Sequence, residues 1–242
     1  MPPSEDSFLA VCLHPSITDV QFSPLYKVIL PVQRHQYGKS HIQRLAIYSA
    51  QAEFIGLNDL LRLPHSLKSF TFHGKSRNSG DRRYFLGRFK RAVGHSAKSL
   101  EYLNVRWSGG KSFDDGPTVW SFRQFTCIKS LFINHFFLYG LDPETAPCIA
   151  DSLPSTLEGL VVYDSGDWDK SVFIELWRKL LVKKSSTCLR NLQLVGHEPD
   201  RNLLDALVNL AASRGIRADK FQVVCILASL SASAPIQREF QP

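Results

Sequence analysis

The sequence predicts an α/β fold: a curved solenoid of about eight irregular units, with a parallel sheet on the concave face and helices on the convex face. Three observations predict it. Of 242 residues, 44% are apolar, enough to bury a core and too many for a disordered chain. A frame of the form apolar-x-x-apolar-x-apolar recurs along the chain, and internal repetition of this kind overrides local propensity as a guide to fold. Between the frames lie stripes of apolar residues at helical spacing.

The units run in order as Ile17/Val20/Phe22, Ile42/Leu45/Ile47, Leu67/Phe70/Phe72, Leu100/Leu103/Val105, Ile128/Leu131/Ile133, Leu157/Leu160/Val162, Leu189/Leu192/Leu194 and Ala218/Phe221/Val223. Their first positions lie 25 to 33 residues apart. Any single match is uninformative in so apolar a chain. The second position, however, is polar in every unit: Thr18, Gln43, Lys68, Glu101, Lys129, Glu158, Arg190 and Asp219. The end of each frame alternates apolar and non-apolar, which predicts a short strand with one buried face.

The connecting segments read as helices. Phe85, Phe89 and Val93 fall four apart, as do Phe173, Trp177 and Leu181, and Leu203, Leu207 and Ala211. Asp200 is placed to cap the last of these and Gly215 to end it. Strand, helix and strand repeated in one direction give parallel pairing with the helices on one side. The repeats span 14–230 as one domain, after an N-terminal extension over 1–13 and before a loose tail over 231–242.

The phrases Leu63-Pro64-His65-Ser66-Leu67 and Leu153-Pro154-Ser155-Thr156-Leu157 enter their strands in the same register, and the stretch from His95 to Leu103 follows the same logic. With the frames, this resembles the irregular leucine-rich-repeat region of fungal F-box-type proteins, over about residues 14 to 226. The resemblance implies substrate recognition in a ubiquitin-ligase-like context, with the cullin-ligase adaptor as a further partner. Two departures stand beside it. The asparagine that many such repeats place eight residues after the frame begins is replaced by Leu25, Ala50, Lys75, Ser108, Phe136, Ser165, His197 and Ile226. Only sixteen residues precede the first unit, so an F-box would be missing or externally supplied.

Motifs for chemistry are sparse. Gly-Lys-Ser occurs at 38–40, 74–76 and 110–112, but the earlier glycine of a phosphate-binding loop is replaced by Gln33, Ser69 and Val105. Neither G-x-S-x-G nor H-E-x-x-H is present. Asp164, Asp167 and Asp169 lack the spacing of a calcium loop and read as a solvated turn. The expectation is a non-catalytic chain with no cofactor and no metal site. Cysteines 12, 127, 148, 188 and 225 are odd in number and never form C-x-x-C, which points to reduced thiols. The acids of Met1-Pro2-Pro3-Ser4-Glu5-Asp6 do not suit a secretory signal. The segment from Phe221 to Ala234 is too short and serine-rich to span a bilayer, which takes about 20 apolar residues. A cytoplasmic or nuclear monomer without membrane association is expected.

The strand positions that flank the buried ones should point out of the concave face. Among them Tyr48, His73, Tyr102, Asn104, Arg106, Phe132, Asn134, Tyr163 and Gln193 are the expected partner-binding residues. Tyrosine, phenylalanine and arginine dominate interface energetics, so a protein partner is the first expectation. Packing of these side chains across the ladder is the competing account. The charge suggests an alternative. The chain has 29 basic and 22 acidic residues, and nine of the basic ones lie between Lys68 and Lys98 against Asp81 alone. Lys75, Arg77, Arg82, Arg83, Arg88, Lys90 and Arg91 could form an anion- or nucleic-acid-binding patch. A solvated helix face is the favoured reading of that run, so nucleic acid ranks second to protein.

Overall fold

The computed structural model describes residues 5–23, 32–51, 56–75, 82–108, 120–139, 149–163, 178, 188–195 and 201–216. Seven strands form one sheet: β1 (Asp19–Phe22), β2 (Arg44–Gln51), β3 (Ser69–Lys75), β4 (Tyr102–Ser108), β5 (Ser130–Asn134), β6 (Gly159–Tyr163) and β7 (Asn191–Val195). Every pairing is parallel and joins strands consecutive in sequence. The chain is thus α/β with a seven-stranded parallel sheet. The eighth frame, at 218–223, lies outside the described residues, as do Asp200 and the stripe Phe173, Trp177 and Leu181.

The register follows the frames residue for residue. Val20, Leu45, Phe70, Leu103, Leu131, Leu160 and Leu192 form one row across the sheet. Phe22, Ile47, Phe72, Val105, Ile133, Val162 and Leu194 form the next. A slip of one residue would turn a whole strand's apolar set to the opposite face, so burial of one face fixes the pairing. The first frame positions Ile42, Leu67, Leu100, Ile128, Leu157 and Leu189 are buried as well.

The polar second position has a backbone role. Its carbonyl accepts two N–H groups from the next unit, those of the second and third frame residues. Thr18 O receives Gln43 N at 2.8 Å and Arg44 N at 3.0 Å, and Gln43 O receives Lys68 N and Ser69 N, both at 2.9 Å. The pattern continues through Lys68, Glu101, Lys129 and Glu158, ending on Arg190 N and Asn191 N. Backbone so occupied leaves the side chain to project outward. From Lys68 to Arg190 these side chains alternate in sign, and Lys129 Nζ lies 3.4 Å from Glu101 Oε2.

The helices pack on the face that carries these apolar rows. They are α1 (Glu5–Leu13), α2 (Leu57–Leu60), α3 (Arg82–Gly94), α4 (Phe136–Tyr139), α5 (Ile149–Ser152) and α6 (Arg201–Ser213). The expected extension contributes α1, whose Phe8 stacks on Phe22 at 4.3 Å and whose Cys12 is fully buried. Ser40 Oγ donates to the Cys12 carbonyl at 2.5 Å, tying α1 to the second unit. On α3, Phe89 and Val93 are buried as the stripe predicts; Phe89 packs on Phe72 at 4.9 Å and on Trp120 at 5.9 Å. Gly215, at φ +71°, ends α6. Gly215 N donates to Ala212 O and Ile216 N to Ala211 O, a Schellman closure with Ala211 and Ile216 both buried.

One close approach shapes the core. Gly74 pairs with Trp107, and a Cβ on Gly74 would lie 2.5 Å from Trp107 Cζ3 and 2.6 Å from Phe72 Cε1. Glycine is therefore required for the indole to lie against β3, stacked on Phe72 at 6.2 Å.

Candidate binding face

The other face of the sheet, termed the open face because no described helix packs on it, gathers most of the expected partner-binding residues. Tyr48, His73, Tyr102, Asn104, Arg106, Phe132, Tyr163 and Gln193 are all half-buried on it. Alternation alone puts them there, since each strand turns its other positions into the core. β2 carries one extra residue between Ile47 and Ala50 relative to β3, a bulge that takes in Tyr48 and Ser49. The Tyr48 ring meets His73 edge-on at 4.9 Å. Tyr102 and Phe132 lie 5.1 Å apart, and Asn104 Nδ2 donates to the Tyr102 hydroxyl at 3.4 Å.

Asn134 departs from the expectation. It is buried, because its side-chain amide is turned onto the backbone of Trp107: Trp107 N donates to Oδ1 at 2.7 Å, and Nδ2 donates to Trp107 O at 3.3 Å. The β4–β5 pairing ends at Val105 and Ile133, and the amide completes it for one more residue. An unpaired buried peptide group is costly, which is the reason the side chain folds inward instead of presenting itself to a partner. The Arg106 guanidinium of β4 reaches across and lies over the Tyr163 ring of β6, 5.1 Å from its centroid.

Burial shifts the titrating groups of this cluster. Burial pushes the Tyr163 hydroxyl up to about 12, against the opposing pull of Arg106, and raises Tyr102 for the same first reason. Burial, then the charge of Arg106, holds His73 down at about 4, so its imidazole is neutral at physiological pH. His73 Nε2 and Asn104 Oδ1 are buried and have no hydrogen-bond partner among the described residues. At the sheet's first edge Arg44 pairs with Asp19, both well exposed. Val161, another position expected to point outward, is buried beneath its neighbours on this face.

The described basic residues of α3 lie on the helix-covered side of the sheet. Arg88, Lys90 and Arg91 are exposed on α3, whose Phe89, Ala92 and Val93 pack into the core. Arg77 and the side chains of Lys75, Arg82 and Arg83 lie outside the described residues, as do Asp164, Asp167 and Asp169. Among the described residues, Gly38-Lys39-Ser40 is a turn whose serine is buried against α1, and Gly74 lies inside β3. No described helix is long and apolar enough to cross a membrane, and no three described histidine, cysteine or acidic side chains are grouped to hold a metal. Comparison with family models, with curated proteins and with solved structures finds no match for the chain.

Sequence reasoning missed the inward turn of Asn134 and the reach of Arg106 to Tyr163. An asparagine at a strand end carries no mark of which backbone it will meet, and strand alternation does not mark a contact that skips a strand.

Proposed function

We propose that the chain is an irregular leucine-rich-repeat solenoid of the kind found in fungal F-box-type proteins, and that it is a non-catalytic, intracellular protein-recognition module working as a monomer. The open face would form its concave side. The observation that carries the reading is the cluster Tyr48, His73, Tyr102, Asn104, Arg106, Phe132 and Tyr163: aromatic groups and one guanidinium, half-buried and bearing two unpartnered buried polar atoms. Such a surface offers large contact area with little side-chain entropy to lose, and a guanidinium and tyrosine hydroxyls to hydrogen-bond a partner. No cofactor enters this reading. Substrate selection for ubiquitin ligation is its setting, with the docking element for the cullin-ligase adaptor supplied from elsewhere.

The test is affinity purification of the tagged chain beside a triple variant, Tyr102→Ala with Arg106→Ala and Phe132→Ala, that retains its thermal unfolding transition. A companion protein held by the first and lost by the second supports the reading; equal retention overturns it. Recovery of the adaptor with that companion supports the ligase setting. Recovery of nuclease-sensitive material that tracks the α3 basic residues would instead favour nucleic acid.

A further inference from the structure

Resting on the reading of the open face as a protein-docking surface, we propose that it takes an acidic residue of the partner, its carboxylate seated at the Arg106 guanidinium beside the hydroxyls of Tyr102 and Tyr163.

The charge pattern comes first. From β3 to β7 no open-face strand position is aspartate or glutamate. Among the described residues, the ion pairs are Asp19 with Arg44, Asp151 with Arg123 and Glu101 with Lys129, and Arg106 has no carboxylate partner. A guanidinium half-buried over an aromatic ring is less hydrated than one at an open surface, and an ion pair formed there is screened less. The guanidinium carbon lies over the Tyr163 ring, 5.1 Å from its centroid, and a cation held over an aromatic face keeps N–H donors at its rim for a ligand. A planar fork of this kind matches a carboxylate.

The neighbouring groups fit the same ligand. Tyr102 Oη accepts from Asn104, so its own proton is available to donate. Tyr163 stays protonated far above neutrality and can donate as well. His73 is neutral and adds no second cation, so the cluster offers a single positive charge. That suits a monoanionic carboxylate; recognition of phosphate uses clusters of arginines.

The experiment is a random peptide library displayed on phage and panned against the full chain. Enriched peptides are then made with their acidic residues replaced singly by the matching amide. The expected result is a shared acidic position whose amidation weakens binding about ten- to hundredfold against the unaltered chain. Against Arg106→Gln the same replacement should change affinity less than twofold. Peptides that depend on Tyr102 and Phe132 but are indifferent to amidation at every acid would overturn the carboxylate assignment and leave the docking reading standing. Failure to enrich any peptide, or enrichment untouched by Tyr102→Ala with Phe132→Ala, would overturn the docking reading itself. Should Arg106→Gln fail to fold, amidation measured on the unaltered chain decides alone.

Discussion

The guanidinium of Arg106 lies over the ring of Tyr163 at 5.1 Å although a whole strand, β5, separates the two residues. A half-desolvated cation–π pair of this kind contributes about 1 kcal/mol. In a double-mutant cycle of Arg106→Gln and Tyr163→Leu, urea unfolding should show a coupling of about that size. Additive losses would mean that the two side chains are adjacent without interacting.

Asn134 lies on the strand between the two, in register with Tyr163. Replacing it with alanine removes both hydrogen bonds to Trp107 and strands a buried N–H and C=O, at a cost of about 2 to 3 kcal/mol. Asn134→Asp keeps the acceptor but sets an anionic oxygen against the Trp107 carbonyl in a buried site, so its loss at neutral pH should be larger. Denaturant midpoints of the two variants check the ranking.

Gly74 and Trp107 form a second interlocked pair. Gly74→Ala places a methyl group inside the indole's contact distance, and overpacking of this kind costs about 1 to 3 kcal/mol. In a Trp107→Leu background the methyl has room, and the alanine should then cost less than half as much. Thermal unfolding of the four proteins in the cycle measures this.

His73 sets an acid-sensitive step. Its folded value, about 4, lies below the usual 6.5, so the unfolded chain binds the proton more readily. The stability it contributes is complete above pH 6.5 and declines as pH falls from there toward 4. His73→Phe should flatten that part of the stability profile relative to the unaltered chain. His95, lowered also by burial and then by Arg62, contributes in the same direction and remains in both proteins. Urea titrations between pH 4 and 7 provide the comparison.

The alternating row at the second frame position predicts an unusual failure of charge swapping. Lys129→Glu places three acids side by side, Glu101, the new glutamate and Glu158, and should cost about 1 kcal/mol in low salt. Adding Glu101→Lys restores that pair but sets two cations together at 68 and 101, so recovery should be partial. Concentrated salt should shrink both effects.

Much of the sheet was legible because its determinants are local and repeated. The apolar frame fixes which side of each strand is buried, and the polar second residue marks where the strand begins. Seven frames became seven strands in the stated register. The helix ending at Gly215 and the buried face of α3 follow from equally local signals. The candidate face was legible only as a set of positions. Sequence alternation placed Tyr48, His73, Tyr102, Arg106 and Tyr163 on one side, but it marks neither the bulge after Ile47 nor the inward turn of Asn134 nor the contact of Arg106 with Tyr163. Those depend on three strands at once. The docking of α1 was hidden for a related reason: its value to the core lies in Phe8 meeting Phe22, outside any periodic stripe.

The strand order has a consequence for how the protein is made. Each strand pairs with the one before it and the one after it, so its upstream neighbour has already left the ribosome when it emerges. Assembly can proceed as synthesis does, without waiting for distant sequence to close the sheet. A chain halted after Tyr139 would already hold five strands with every pairing they make among themselves in the finished sheet. Arg106, however, would lack Tyr163 until β6 was added, so the face would acquire its cation–π contact later than the strands beneath it.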